Sequence, residues 1–149
     1  MKILVCTDGS EQSFKAIEKA VEIAQGCKTA DIAVIHVYES KLAFPFWGEG
    51  YSITAEDLER FKTMEKQEKE KRKGLLTDAE EVFRQKGFKV KTIFMEGHPS
   101  ESIAQVAKEE GYDIVAIGSR GLGGLKKLLL GSVSNAVVQQ VKTSVLVVK

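Results

Sequence analysis

"DIVAIGSRGLGGLKKLLLGSVSNAVVQQVKTSVLVV", residues 113–148, decides how this chain folds. It opens on an apolar, β-branched run over residues 113–117 and crosses a loop rich in glycine. It then shows helical apolar spacing at Val133, Val137 and Val141, and ends on a second β-branched run, "SVLVV". Short apolar runs of this kind suit strands buried on both faces, and a helix between two of them makes the strands parallel. Residues 118–138 hold five of the chain's thirteen glycines, between a strand and a helix start. From glycine content alone two readings stay open: a cradle for phosphates, or a flexible passage from strand to helix.

Working outward, the same alternation fills the chain. "KILVC" reads as a buried first strand, and "TDGSE" breaks it. Ser10 can cap a helix whose Phe14, Ile17, Val21 and Ala24 share one face, with Gly26 as its stop. "ADIAVIHVY", residues 30–38, is the second strand. Thr54 with Asp57 resembles a capping box opening a long helix. Its apolar stripe begins at Leu58 and Phe61 and resumes at Leu75, Leu76, Ala79, Val82 and Phe83. The intervening "EKQEKEKRK" is polar all round, with i,i+4 pairs at Glu65–Lys69 and Glu68–Arg72, and reads as a solvated stretch. A helix this long outruns a typical strand, so a break or bend is expected near Gly74. "FKVKTIFM" alternates as strand three. Pro99 opens a helix with Ile103, Val106 and Ala107 on one face, and Gly111 ends it.

The order β-α-β-α-β-α-β-α-β predicts one domain, residues 1–149, with a parallel sheet between helices in a three-layer α/β/α sandwich. In such sheets ligands sit beyond the carboxyl ends of the strands where the winding reverses. Two loops are equipped for that place, "CTDGS" after strand one and the glycine loop after strand four.

Composition narrows the function. The formal net charge of +1 gives no field for general nucleic-acid or anionic-membrane binding, and no apolar run reaches the ~18 residues of a membrane span. The first ten residues are too thin for a secretory h-region, so a cytoplasmic location is expected. Cys6 and Cys27 form no CxxC pair, and His36 and His98 lack a second ligand at helical spacing, so no metal site is predicted from protein side chains. Residues 41–53 hold Phe44, Phe46, Trp47 and Tyr51 around Pro45 and fit neither period. So apolar an insertion needs cover, as a flap over a pocket, a contact with another subunit, or a loop tucked onto its own domain.

Known phosphate motifs fail. Gly131 is followed by Ser132-Val133 rather than the Lys-Ser/Thr of a Walker A loop, and no GxGxxG follows the first strand. What remains is Gly118-x-x-Gly121, nine residues, then Gly131-Ser132. The first pair can let backbone amides approach a ligand, and Gly131 to Ser134 begin the last helix, where open amides and the dipole suit an anion. Ser132 and Ser134 can add hydroxyls, and Arg120 a charge.

With this spacing the chain resembles the universal stress protein family, which carries Gly-x-x-Gly, nine residues, Gly-Ser/Thr near its C-terminus. The likeness extends over "KILVCTDGSEQS", "EGHPSESIAQVAKEEGYDIVAIGSRG" and "SVLVV". It implies a five-stranded parallel sheet of order 3-2-1-4-5, Rossmann-like and of the adenine nucleotide α-hydrolase type. It also implies ATP as ligand, with Mg possible through the phosphates near Asp8. Carried over, Gly118, Gly121, Gly131 and Ser132 would hold phosphates, helped by Val133 and Ser134. Thr7 and Asp8 would meet the adenosine end, and the backbone of Val37 the adenine. A homodimer through residues 143–149 is implied as well, with further contacts through 41–53 as an option. Many relatives have His where Arg120 stands, and the "QQVKTSVLVV" turn departs from their usual pattern. The resulting expectation is a small ATP-binding stress-response regulator, a dimeric switch rather than an enzyme. The alternatives are a nucleotide-independent interaction module, a slow ATP hydrolase with no clear base, and a flavodoxin-like electron carrier, for which "TDGSE" is a thin FMN loop.

Overall fold

A computed structural model describes residues 1–27, 30–39, 54–123 and 130–149. The five strands are β1 (Lys2–Cys6), β2 (Asp31–Tyr38), β3 (Val90–Glu96), β4 (Ile114–Gly118) and β5 (Ser144–Val148). The helices are α1 (Glu11–Gln25), α2 (Ala55–Gln85), α3 (Pro99–Glu109) and α4 (Ser132–Gln140). All neighbours are parallel and the order is β3-β2-β1-β4-β5, as expected. The central strand β1 pairs Cys6 with Ile35 on one side and Val5 with Ala116 on the other. The winding therefore reverses between β1 and β4.

Period-2 alternation along each buried strand splits the core between two faces. Ile3, Val5, Ile32, Val34 and Ala116 pack against α1 and α2, including Ile17, Ala79 and the fully buried Phe83. Leu4, Cys6, Ala33, Ile35, Val115 and Ile117 pack against α3 and α4, through Ile103, Val106 and Val137. No described helix is long and apolar enough to cross a membrane.

Helix starts follow the sequence signals. Ser10 caps α1 by accepting from the Ser13 amide at 3.2 Å, the Thr54–Asp57 capping box is complete, and Pro99 sits in the first turn of α3. Both anticipated pairs on α2 are present, Glu65–Lys69 at 3.2 Å and Glu68–Arg72 at 2.7 Å. Two expectations are corrected. α2 runs unbroken through Gly74, where a Cβ would meet nothing within 4 Å, so no neighbour forces a break. Phe14 lies at the edge of its helix face and is 48% exposed, outside the core formed by Ile17, Val21 and Ala24. The aromatic insertion at 41–53 lies outside the described residues.

Candidate functional site

The loops after β1 and β4 meet at the switch point. Beyond β1 the ladder continues one residue, with the Thr7 amide donating to Ile35 O at 3.0 Å. Asp8 then turns the chain by accepting from the Ser10 amide at 3.0 Å, and Gly9 follows at φ +82°. The other Asp8 oxygen crosses to the glycine loop and accepts from the Leu122 amide at 3.2 Å. The carboxylate lies so close that a Cβ on Gly121 would stand 2.3 Å from it. Ser10 adds a longer bond to Arg120 O at 3.4 Å. Asp8 and Ser10 are thus joined to the Arg120–Leu122 half of the loop.

The far half is fastened by Ser119, a residue to which the sequence reading gave no part. Its carbonyl accepts from the Gly131 amide at 2.7 Å and from the Ser134 hydroxyl at 2.9 Å. Its amide donates to Val148 O at 2.6 Å. This clasp brings residues 119 and 131 into contact and ties the start of α4 to the end of β4. No side chain caps α4 at Gly131, so its first-turn amides at Ser132, Val133 and Ser134 have no side-chain partner. Uncapped amides at a helix start and the positive end of the helix dipole suit an anion. The Ser134 hydroxyl, expected to be a donor to a ligand, is committed to Ser119 O and Gly131 O. Ser132 is exposed, and Val133 packs partly against the α3/α4 core.

The three motif glycines have different neighbours. At Gly118 a Cβ would meet the α1 backbone, 2.7 Å from Gln12 C and 2.8 Å from Ser13 N, so this glycine lets β4 lie against the first turn of α1. Gly121 makes room for Asp8. Gly131 has φ −73° and its nearest foreign atom is 3.4 Å from a Cβ, so it is under no steric demand. Val37 is half-buried near the end of β2, opposite Met95. Its neighbour His36 is 2% exposed and bonds Thr7 O through Nδ1 at 2.7 Å. A carbonyl only accepts, so Nδ1 carries the proton and Nε2 is left without a partner. Burial holds the His36 pKa below its ordinary value.

Other chemistry is weak here. Burial, helped by the Asp8 charge, pushes the Cys6 thiol far up and makes it a poor nucleophile. Among the described residues no three His, Cys, Asp or Glu side chains gather as a metal cluster. Arg120, whose carbonyl accepts from Ser10, buries its Nε without a partner.

The family model described as the universal stress protein family matches residues 1–149. Universal stress protein YxiE of Bacillus subtilis (strain 168) is 34% identical over 149 residues, covering 99% of this chain and 98% of that protein. Universal stress protein MJ0577 of Methanocaldococcus jannaschii is 33% identical over 157 residues. A solved structure of MJ0577 superposes with a TM-score of 0.80 at 30% identity, covering 99% of this chain and 94% of that one. A universal stress protein solved in complex with cAMP has a TM-score of 0.69 at 24% identity, covering 100% and 97%, and shares the fold.

Proposed function

Because this chain belongs to the universal stress protein family, we propose that it binds an adenine nucleotide, ATP, in the crevice between the β1 and β4 loops. The observation that carries this reading is the Ser119 clasp, which ties the uncapped start of α4 to the end of β4, the strand beside β1 at the switch point. Phosphates would lie on the first turn of α4 with Arg120 beside them. The adenosine would extend past Thr7 and Asp8 toward the backbone of Val37. A family member carrying cAMP supports an adenine nucleotide as the ligand class. A Mg ion would fit the donor set, since one carboxylate, Asp8, stands at the loop and Mg typically takes one or two carboxylates plus phosphate oxygens.

The protein's output is regulatory rather than catalytic. Asp8 already accepts from two backbone amides, and His36 holds its proton against Thr7 O, so neither is placed as a base for water. A cytoplasmic dimer paired through residues 143–149 completes the proposal, because β5 is a sheet edge and pairing would cover it. Calorimetric titration with Mg-ATP tests the reading, alongside Gly131→Val and Ser132→Pro variants whose folds are checked by thermal melting. Saturable heat that weakens tenfold or more in the variants is expected. A parent protein that gives no heat refutes nucleotide binding and leaves an interaction module.

A further inference from the structure

A cavity of about 310 Å³ opens between α1 and α2, on the face of the sheet opposite α4. Its walls are Phe14, Ile17, Leu75 and Ala79, with Thr7 inside and Asp78 among the lining residues. The volume suits a body the size of one aromatic ring with a short tail, and mostly apolar walls with few polar groups are the usual make-up of a ligand site. Two polar groups there are under-used. The Thr7 hydroxyl, in a residue 8% exposed, has only long contacts of 3.4 Å, to Ser13 Oγ and from the Gly9 amide. Asp78 differs from most carboxylates of α2. Glu56, Glu59, Glu65, Glu68, Glu70 and Glu81 each pair with a Lys or Arg three or four residues along. Asp78 has Glu81 and Val82 at those positions and no ion pair among the described residues. An unpaired carboxylate beside apolar walls favours a cation.

We propose that this cavity is a second small-molecule site, selective for a primary amine on a compact apolar or aromatic body, with Asp78 taking the ammonium and Thr7 the interior polar contact. It adjoins the nucleotide crevice at the β1 loop and otherwise lies on the other face of the sheet. Ile17 and Ala79 belong to the α1/α2 core, whereas the α4 residues that would hold phosphates pack on the other side. The two sites share only the β1 loop, through Thr7, Gly9 and Ser10.

Nitrogen-15 resolved NMR titrations with 2-phenylethylamine, 2-phenylethanol and phenylacetate test this on the full chain. The amine is expected to shift the amides of Thr7, Ile17 and Ala79 and to bind about two- to fivefold more tightly than the alcohol, the range for a solvent-exposed ion pair. The acid binds most weakly. Asp78→Asn, at an exposed position, removes the gap between amine and alcohol, and Leu75→Trp, which fills the space, weakens both. Equal binding of the three probes, a gap that survives Asp78→Asn, or no shifts up to millimolar amine would each overturn the site. Mg-ATP titration of Asp78→Asn keeps the two proposals apart, since its affinity for nucleotide should match that of the parent.

Discussion

Alanine at the three motif glycines should have three different costs. At Gly118 the new methyl meets backbone, Gln12 C at 2.7 Å and Ser13 N at 2.8 Å, and neither can move without shifting α1 off the sheet. Overpacking against a fixed obstacle costs roughly 1–3 kcal/mol and sometimes more, and the backbone obstacle puts this case at about 3 kcal/mol. For a chain of this length that is a fall in Tm of roughly 6–12 °C. At Gly121 the obstacle is a carboxylate oxygen, 2.3 Å away, that can rotate aside. The loss is then the Asp8–Leu122 bond, about 1 kcal/mol in a solvent-accessible setting. At Gly131 the methyl has ordinary space. A weaker N-cap is offset by lower entropy of the unfolded chain, leaving a change within about 0.5 kcal/mol. Urea unfolding of the three variants measures the order directly. Asp8→Ala combined with Gly121→Ala should show a coupling that the Gly118 variant lacks. A Gly131→Ala variant less stable than Gly118→Ala would refute this assignment of roles.

Further outcomes follow from the same contacts. Asp8→Ala should speed hydrogen exchange of the Leu122 amide in the nucleotide-free protein while leaving the β1 amides protected, and unchanged Leu122 exchange would mean the carboxylate does not hold the loop. Acidification should cost stability before ordinary carboxylates titrate. The folded His36 has a lowered pKa, so below the unfolded value of about 6.5 the unfolded chain takes a proton that the native state resists. The urea midpoint should therefore fall between pH 7 and pH 5.5. Burial is the main cause, Arg72 adds to it, and the Thr7 bond and the Asp8 charge act the other way. His36→Gln should flatten that fall, and an equal fall in the variant would assign it elsewhere.

The sheet was readable because each buried strand is a short β-branched run and each helix start carries its own chemistry at Ser10, Thr54 or Pro99. Right-handed crossovers then leave few strand orders. What was not readable depends on distance between segments far apart in sequence. Gly118 reads with the phosphate set, and only the fold shows the α1 backbone as its nearest neighbour. Ser134 reads as a free hydroxyl until Ser119 O is brought to it, across 15 residues. Asp8 reads as an adenosine contact, and only the fold places it on the Leu122 amide, 114 residues away. Gly74 misled for a related reason. A mid-helix glycine costs about 1 kcal/mol, which α2 absorbs through Leu76, Ala79 and Phe83 on the core side of its following turns.

The central claim is that the first turn of α4 and the Asp8 side of the glycine loop receive a nucleotide together. An amide NMR titration with Mg-ATP tests it most directly. The account predicts saturating shifts that are largest at Leu122, Ser132, Val133 and Ser134, with a Kd well below about 1 mM. Shifts absent at millimolar Mg-ATP, or confined to α1 and α2 around Ile17 and Ala79, would contradict it.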